Sequence, residues 1–558
     1  MTEMTWSRGF VVIALGAGLA LSAGCGDAEG EDAPGSDGSL SVSDDDVTKA
    51  EVGKADSSIE AVFLDMDFSG ELRTTSSWSP EREIEKQLLY TIGQLNGDDS
   101  VGRLDKLRLR EVKTERGDDG AVTIRYQATL QVAWGKRNDV PASYTLLMPR
   151  DVSSAGLEGF TQSYKESCVD FGAHDVDAGS MWYYYRPGAY RCKLAEEDIF
   201  RFEAEVSVSP VNTTGKYPEY DKVWEDGVLN VVAVFGKYKD GATSSADAGI
   251  SGYNRFSDQL ADVLRAHGLE TTPEALPSSP GVETPEITYR ATLDDGHAVV
   301  VHTILVDNVR TAGAEFDRWY AERSKTADLI IYNGHAGLGS NIRALARKGD
   351  WQTGQYAVVF MNGCDTYAYV DSALFDAHAE VNPDDPEGTK HLDLVTNAMP
   401  SYFVEMPRAT LAFVKGLMSW DDPRTFEQIF TSVSDRQIVL VSGEQDNTYQ
   451  PGGEGDGPVE EGWEGLKIED AVTKDQEIRF TTPQLPAGRY TFLMEGDADA
   501  DLYVRIGLEP TTSSWDCRPY KSGSNEVCQI ELSAPGTIHG MVRGWAARSS
   551  FTLLGDAD

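Results

Sequence analysis

Two short apolar runs, Leu329 to Tyr332 and Tyr356 to Met361, are each of strand length and each end at an Asn-Gly pair. His335 follows the first pair and Cys364 follows the second. Apolar on both faces and separated by one predicted helix, Ser340 to Arg347, the two runs fit neighbouring parallel strands of a sheet covered on both sides. Parallel neighbours point the same way, so His335 and Cys364 are expected at one sheet edge, where open α/β sheets hold their chemistry.

That pairing suits nucleophilic catalysis. An imidazole that takes the thiol proton leaves a thiolate able to attack an acyl carbon. Taken singly, a loop histidine and a buried cysteine are ordinary structural residues, so the case rests on their shared placement and on the cysteine count. The chain holds Cys25, Cys168, Cys192, Cys364, Cys517 and Cys528. If Cys25 is lipidated, an odd number remains. Short-range pairing of Cys168 with Cys192 and of Cys517 with Cys528 then leaves Cys364 outside any disulfide.

The compartment follows from the first 25 residues. A polar start with Arg8 precedes the apolar run Phe10 to Leu21, too short to span a bilayer comfortably. It leads into Leu21-Ser22-Ala23-Gly24-Cys25, which resembles a bacterial lipoprotein signal with Cys25 as the lipidated residue. Either lipidation or plain cleavage takes the chain out of the cytoplasm. Residues 26–57 are Gly, Ser, Asp and Glu with almost nothing apolar, a composition expected to form a disordered acidic tether. Over the whole chain 91 acids face 49 bases, a net charge of -42, which argues against a nucleic-acid partner.

The remaining sequence reads as three folded parts. Residues 58–220 look α+β, with a strand at Ala61 to Phe68, a helix at Pro80 to Leu95 and a hairpin from Arg103 to Trp134. Within them the aromatic run Met181 to Tyr190 is either a half-buried strand or an exposed platform for sugar or peptide. The role of this part is open between prodomain, substrate-gripping module and structural support. Residues 221–449 alternate strands and helices, the pattern of a parallel α/β sheet. A Gly/Glu linker, 450–465, leads to about seven short strands in 466–558, suggesting a small β-sandwich.

An apolar strand followed by Gly-His, and about thirty residues later an apolar strand followed by Cys, resembles the caspase-like cysteine peptidases: gingipains, clostripain, legumain, metacaspases and CHAT domains. The resemblance covers roughly Val228 to Ser442. It implies a catalytic dyad of Cys364 and His335, with an oxyanion hole made by the backbone N–H groups of Cys364 and of Ala336 or Gly337. The family has glycine directly after the histidine, and this chain has Ala336 there. Selectivity is expected from Asp365 or from the Asn397 to Tyr402 segment, although Asp365 would equally serve as a helix cap or a solvated turn residue.

Near the C-terminus, GDADADLYVRIGLEPTTSSWDCRPYKSGSNEVC resembles the bacterial pre-peptidase C-terminal domain that accompanies secreted proteases. Some members bind calcium. The resemblance offers Asp497, Asp499 and Asp501 as oxygen ligands, while strand alternation would also put these acids in water. The dyad chemistry itself requires no cofactor.

The sequence thus predicts a multidomain chain: an N-terminal α+β part, a central caspase-like α/β sheet and an all-β C-terminal sandwich. Its expected function is that of an exported lipoprotein acting as a cysteine endopeptidase on protein or peptide substrates, held to a membrane only through its lipid. The alternative is a non-catalytic surface binding or adhesion lipoprotein on a degenerate peptidase scaffold, for which Ala336 is the supporting residue. A thiol hydrolase or transferase acting on other amides would share the dyad.

Overall fold

The computed structural model describes residues 39–40 and 56–557, apart from 435, 445, 446, 448, 450, 452–462, 464, 484, 487, 508, 509, 513, 514, 522 and 533–535. Cys25 and the signal segment, most of the acidic stretch and most of the linker lie outside the described residues. The end of that acidic stretch is nevertheless built into the fold. Ser57–Ser58 pairs with Val439–Gly443, and Asp56 bridges to Asn212, so Asp56 and Ser57 are buried rather than part of a tether.

The centre is a nine-stranded sheet. Its four middle strands, Val228–Gly236, Leu329–Asn333, Ala357–Asn362 and Leu392–Asn397, run parallel side by side. Ala298–Val306 lies parallel on the outer side of Val228–Gly236 and turns back into Glu286–Thr292 and Glu270–Thr272. At the other end Val439–Gly443 is antiparallel to Leu392–Asn397. All residues of the Leu329, Ala357 and Leu392 strands are buried, as strands covered on both faces must be.

The period of two sorts their side chains. Val231, Ala233, Ile331, Val358 and Phe360 pack on one face, with Phe256 and Leu260 of helix Ala248–Leu264 and Phe413 of helix Met406–Leu417. Asp247 caps the first of these helices through the amides of Gly249 and Ile250. Val232, Val234, Ile330, Val359 and Met361 face the other way.

On that second face the core does not stop at helices. It runs on without a break into a five-stranded antiparallel sheet ordered Ser100–Arg116, Val122–Trp134, Val62–Thr74, Ile199–Val208 and Ser143–Pro149. The first region is therefore packed onto the α/β sheet. The expected helix Pro80 to Leu95 divides into Pro80–Leu88 and Tyr90–Asn96. The aromatic run is not a strand: Met181–Tyr184 is a short helix, with Met181, Trp182, Tyr183 and Tyr185 buried and Tyr190 exposed. Packing decides this, Tyr185 standing edge-on to Tyr90 at 5.3 Å.

The C-terminal region has its own core, centred on Phe492, Leu502, Val504, Val542 and Leu553. Seven antiparallel strands form it, four in one sheet (Leu466–Thr473, Arg548–Ala557, Gly488–Gly496, Glu526–Leu532) and three in the other (Glu477–Thr481, Ile538–Gly544, Ala500–Ile506). Cys168 is bonded to Cys192 and Cys517 to Cys528.

Candidate active site

The Leu329 and Ala357 strands pair so that Asn333 stands opposite Asn362. His335 and Cys364 each follow two residues later, and the amide of Gly334 still donates to the carbonyl of Asn362 at 3.3 Å. The two loops then touch through their backbones. A Cβ added at Gly363 would lie 2.8 Å from the Gly334 oxygen and 3.3 Å from the Ala336 nitrogen, so only glycine allows this approach beside Cys364.

His335 is half-buried, its ring 5.0 Å from that of Tyr238 and 4.9 Å from that of Phe403. Its Nε2 lies 2.9 Å from the carbonyl oxygen of Tyr238, in the loop after Val228–Gly236. A carbonyl only accepts, so this bond assigns the proton to Nε2 and leaves Nδ1 with a lone pair. Burial holds the imidazole below its ordinary value, against the opposing pull of the Tyr238 bond and of Asp247 and Asp240. The ring is therefore neutral at pH 7, as a general base must be. Tyr238 was invisible as a site residue in the sequence because its contribution is a carbonyl.

Cys364 is also half-buried, and belongs to neither disulfide. Its thiol donates to the carbonyl of Ser401 at 3.7 Å.

A buried amide ladder lies beneath both residues. Asn333, Asn362 and Asn397 are the last residues of three adjacent strands, and each is fully buried. The Asn333 side-chain oxygen accepts from Asn362 and Thr410, each at 2.9 Å. That of Asn362 accepts from Asn397 at 3.1 Å, Ser401 at 2.8 Å and Gln437 at 2.9 Å. Asn397 also donates to the Gly363 carbonyl at 3.0 Å. These bonds tie the turn carrying Cys364 to the loop that holds Ser401 and Phe403.

Beyond His335 the backbone is left-handed at Gly337 (φ 60), Leu338 (φ 50) and Gly339 (φ 85), whereas Ala336 is not among the left-handed residues. The glycine that the peptidase pattern places after the histidine is thus not required at 336, since the unusual conformation begins one residue later. Asn341 and Tyr332 hold the turn by donating to the His335 carbonyl, each at 2.8 Å. Among the described residues the amides of Ala336 and Gly337 donate to no protein acceptor. Gly337→Ala would force alanine into the left-handed region and set its Cβ 2.8 Å from Ser340 Oγ. It is expected to cost about 1–2 kcal/mol, read as a lower thermal midpoint, and to lower the reactivity of the site.

Asp365 is not solvated, and it stands at the N-cap position without capping through its side chain. It is fully buried with φ 52, and makes no cap bond to the helix Thr366–Tyr369 that follows. Residues of the first region cover it, for reasons no local pattern around Asp365 could reveal.

The three acids of the C-terminal region are each engaged with protein groups. Asp497 accepts from the Ser550 amide at 2.8 Å and Asp499 from the Gly523 amide at 3.0 Å. Asp501 is buried against the Arg518 guanidinium at 2.8 Å. A cation on Asp501 would meet that arginine, and among the described residues no three His, Cys, Asp or Glu side chains converge on a metal position.

Residues 471–544 match the bacterial pre-peptidase C-terminal domain. The C-terminal sandwich is a pre-peptidase C-terminal domain. Similar stretches occur in a virulence metalloprotease of Vibrio anguillarum, 57% identical over 58 residues, which are 10% of this chain and 10% of that protein. A zinc metalloprotease of Helicobacter pylori is 55% identical over 58 residues, 10% of this chain and 23% of that protein. An alkaline serine exoprotease A of Vibrio alginolyticus is 43% identical over 58 residues, 10% and 11% of the two chains. The chain thus spans less than a quarter of these curated relatives. The solution structure of vEP C-ter 100 is 36% identical, covering 16% of this chain and 88% of that one at a TM-score of 0.15. Because relatives named as metalloproteases and as a serine exoprotease share such a stretch, the pre-peptidase C-terminal domain does not dictate catalytic type.

Proposed function

We propose that the protein is an exported cysteine endopeptidase of the caspase-like kind, with Cys364 as nucleophile and His335 as base. The observation that carries this is the register of Asn333 with Asn362, with Gly363 seated on the His335 loop. It supports a Cys and a neutral His brought to one sheet edge. The cycle begins when His335 Nδ1 takes the thiol proton and the thiolate bonds to the scissile carbonyl carbon. The oxyanion is received by the amides of Ala336, Gly337 and Cys364. As the C–N bond breaks, the protonated imidazole returns its proton to the leaving amine. Water then cleaves the thioester, releasing the acid and restoring the thiol.

Export is supported by two disulfides, by the signal-like first 25 residues with Cys25 as the proposed lipid site, and by a similar stretch in a protein named extracellular protease from Xanthomonas campestris. The substrate class is protein or peptide, in keeping with the proteases that share stretches of this sequence. The reading as a non-catalytic binding lipoprotein drew on Ala336, and with the left-handed step carried by Gly337 that residue no longer argues for it.

Labelling of the full-length protein with a peptidyl acyloxymethyl ketone tests the proposal. The expected result is one adduct at Cys364, absent in Cys364→Ala and strongly slowed in His335→Ala. Well-folded wild type that forms no adduct, or forms it equally in His335→Ala, would overturn it in favour of the binding protein.

A further inference from the structure

The turn that carries Cys364 is held on one side by its own sheet, and the helix Thr366–Tyr369 that continues it is anchored in the first region. Tyr367, wholly buried, packs 6.0 Å from the ring of Phe63, donates to the Gln131 side chain at 3.2 Å and lies under the Arg103 guanidinium, 5.3 Å from its ring. Tyr369 stands edge-on to Trp182 at 6.3 Å. Between these anchors and the thiol lies Asp365, in the left-handed conformation that bends the chain from strand to helix. Its carboxyl group is fully buried, and neither oxygen completes a hydrogen bond among the described residues. A buried unpartnered carboxyl costs stability and so calls for a reason.

The groups facing it belong to the first region. The Tyr183 hydroxyl and the Asn96 amide are near enough to favour its ionised form, as is Arg186, which is itself paired with Asp170 at 3.2 Å. Asp170 opposes them. Burial is the largest influence and pushes the carboxyl up to about 6. On the chain itself the neighbour is Cys364.

We propose that Asp365 is the positioning residue of this site: its carboxyl group, buried at the bend between strand and helix under the first region, sets that bend, so that the first region fixes where the thiol points. This rests on the peptidase reading and deepens it. It also assigns a role to residues 58–220, which act as a built-in half of the site. Removing them as a prodomain would expose Asp365, Tyr367 and Tyr369 together.

The test uses the full-length protein and two reagents. A peptidyl acyloxymethyl ketone needs thiol and imidazole in alignment, whereas iodoacetamide needs only a thiolate. Asp365→Asn keeps the size of the side chain and the tolerance of a left-handed φ while removing the charge. Ketone labelling of this variant is expected to fall at least tenfold, with iodoacetamide alkylation of Cys364 within about twofold of wild type. In wild type the ketone rate should also decline as pH falls through about 6, where Asp365 takes up a proton, and Asp365→Asn should lack that step while keeping the limb set by His335. Tyr183→Phe, which removes one hydroxyl and leaves the ring, should shift the two rates in the same sense by a smaller factor. Equal ketone rates in wild type and Asp365→Asn would overturn the proposal. So would a parallel fall with both reagents accompanied by a lower thermal midpoint, which would mark a purely structural residue. Failure of the peptidase reading shows separately, in wild type that does not label in a His335-dependent way, and it removes this proposal as well.

Discussion

His335→Ala is expected to slow acylation of Cys364 by a peptide substrate about 10²–10⁴-fold, the range over which a positioned base contributes. At pH 7 an ordinary thiol is only a few per cent thiolate, and the alanine variant would have to rely on that fraction in every encounter. The loss should exceed the effect on a small alkylating agent, since in the proposed cycle the imidazole also returns a proton to the leaving amine, a step alkylation lacks. The pH dependence carries a sign. His335 acts as a base only when neutral, and burial holds its pKa below the usual 6.5. Activity limited by this group should therefore persist below pH 6.5 and be lost as pH falls through the depressed value. Hydrolysis of a peptide library hit, measured from pH 5 to 8 in wild type and His335→Ala, checks both points. An unchanged profile in the variant would remove His335 from the mechanism.

How much of this site could be read without coordinates differs residue by residue. Leu329 to Tyr332 and Tyr356 to Met361 were legible because an unbroken apolar run has few places to go, and the strands are Leu329–Asn333 and Ala357–Asn362. In the sequence Asn333 and Asn362 each head an Asn-Gly pair, which is a turn signal. They are instead the last rungs of their strands. Only the third strand, bringing Asn397 alongside, turns them into a ladder. Asp365 illustrates the larger gap: an aspartate after a strand is normally solvated, and nothing within ten residues of it announces that Asn96 and Tyr183 will close over it. The Met181 to Tyr185 run shows the same limit, because its aromatic composition favours a strand while contacts with Tyr90 and Tyr369 select a helix.

Lys216→Met is expected to destabilise the folded chain by about 3–5 kcal/mol, more than any surface substitution. Lys216 and Asp393 form an ion pair at 2.6 Å in which neither side chain has any exposure. Lys216 also donates to the Gly443 carbonyl at 2.6 Å, and Tyr356 donates to the other Asp393 oxygen at 2.6 Å. The pair thus ties the segment that leaves the first region to the start of one parallel strand and the end of its antiparallel neighbour. Burial pushes the Asp393 carboxyl up, and Lys216 is the chief group opposing that rise. Without the ammonium, Asp393 must either stay charged in an apolar surrounding or take up a proton, and both cost free energy. The cost arises from the orphaned partner more than from the lost attraction, so it should be recoverable. Lys216→Met combined with Asp393→Leu removes both charges and should regain much of the loss, leaving chiefly the Tyr356 hydroxyl and the Gly443 carbonyl unserved. Urea unfolding followed by tryptophan fluorescence compares the three proteins. A single variant as stable as wild type would mean that water reaches this pair and that the two regions are joined less tightly than the buried contacts imply. A double variant no better than the single would place the stabilisation in the backbone and tyrosine bonds instead of the charges.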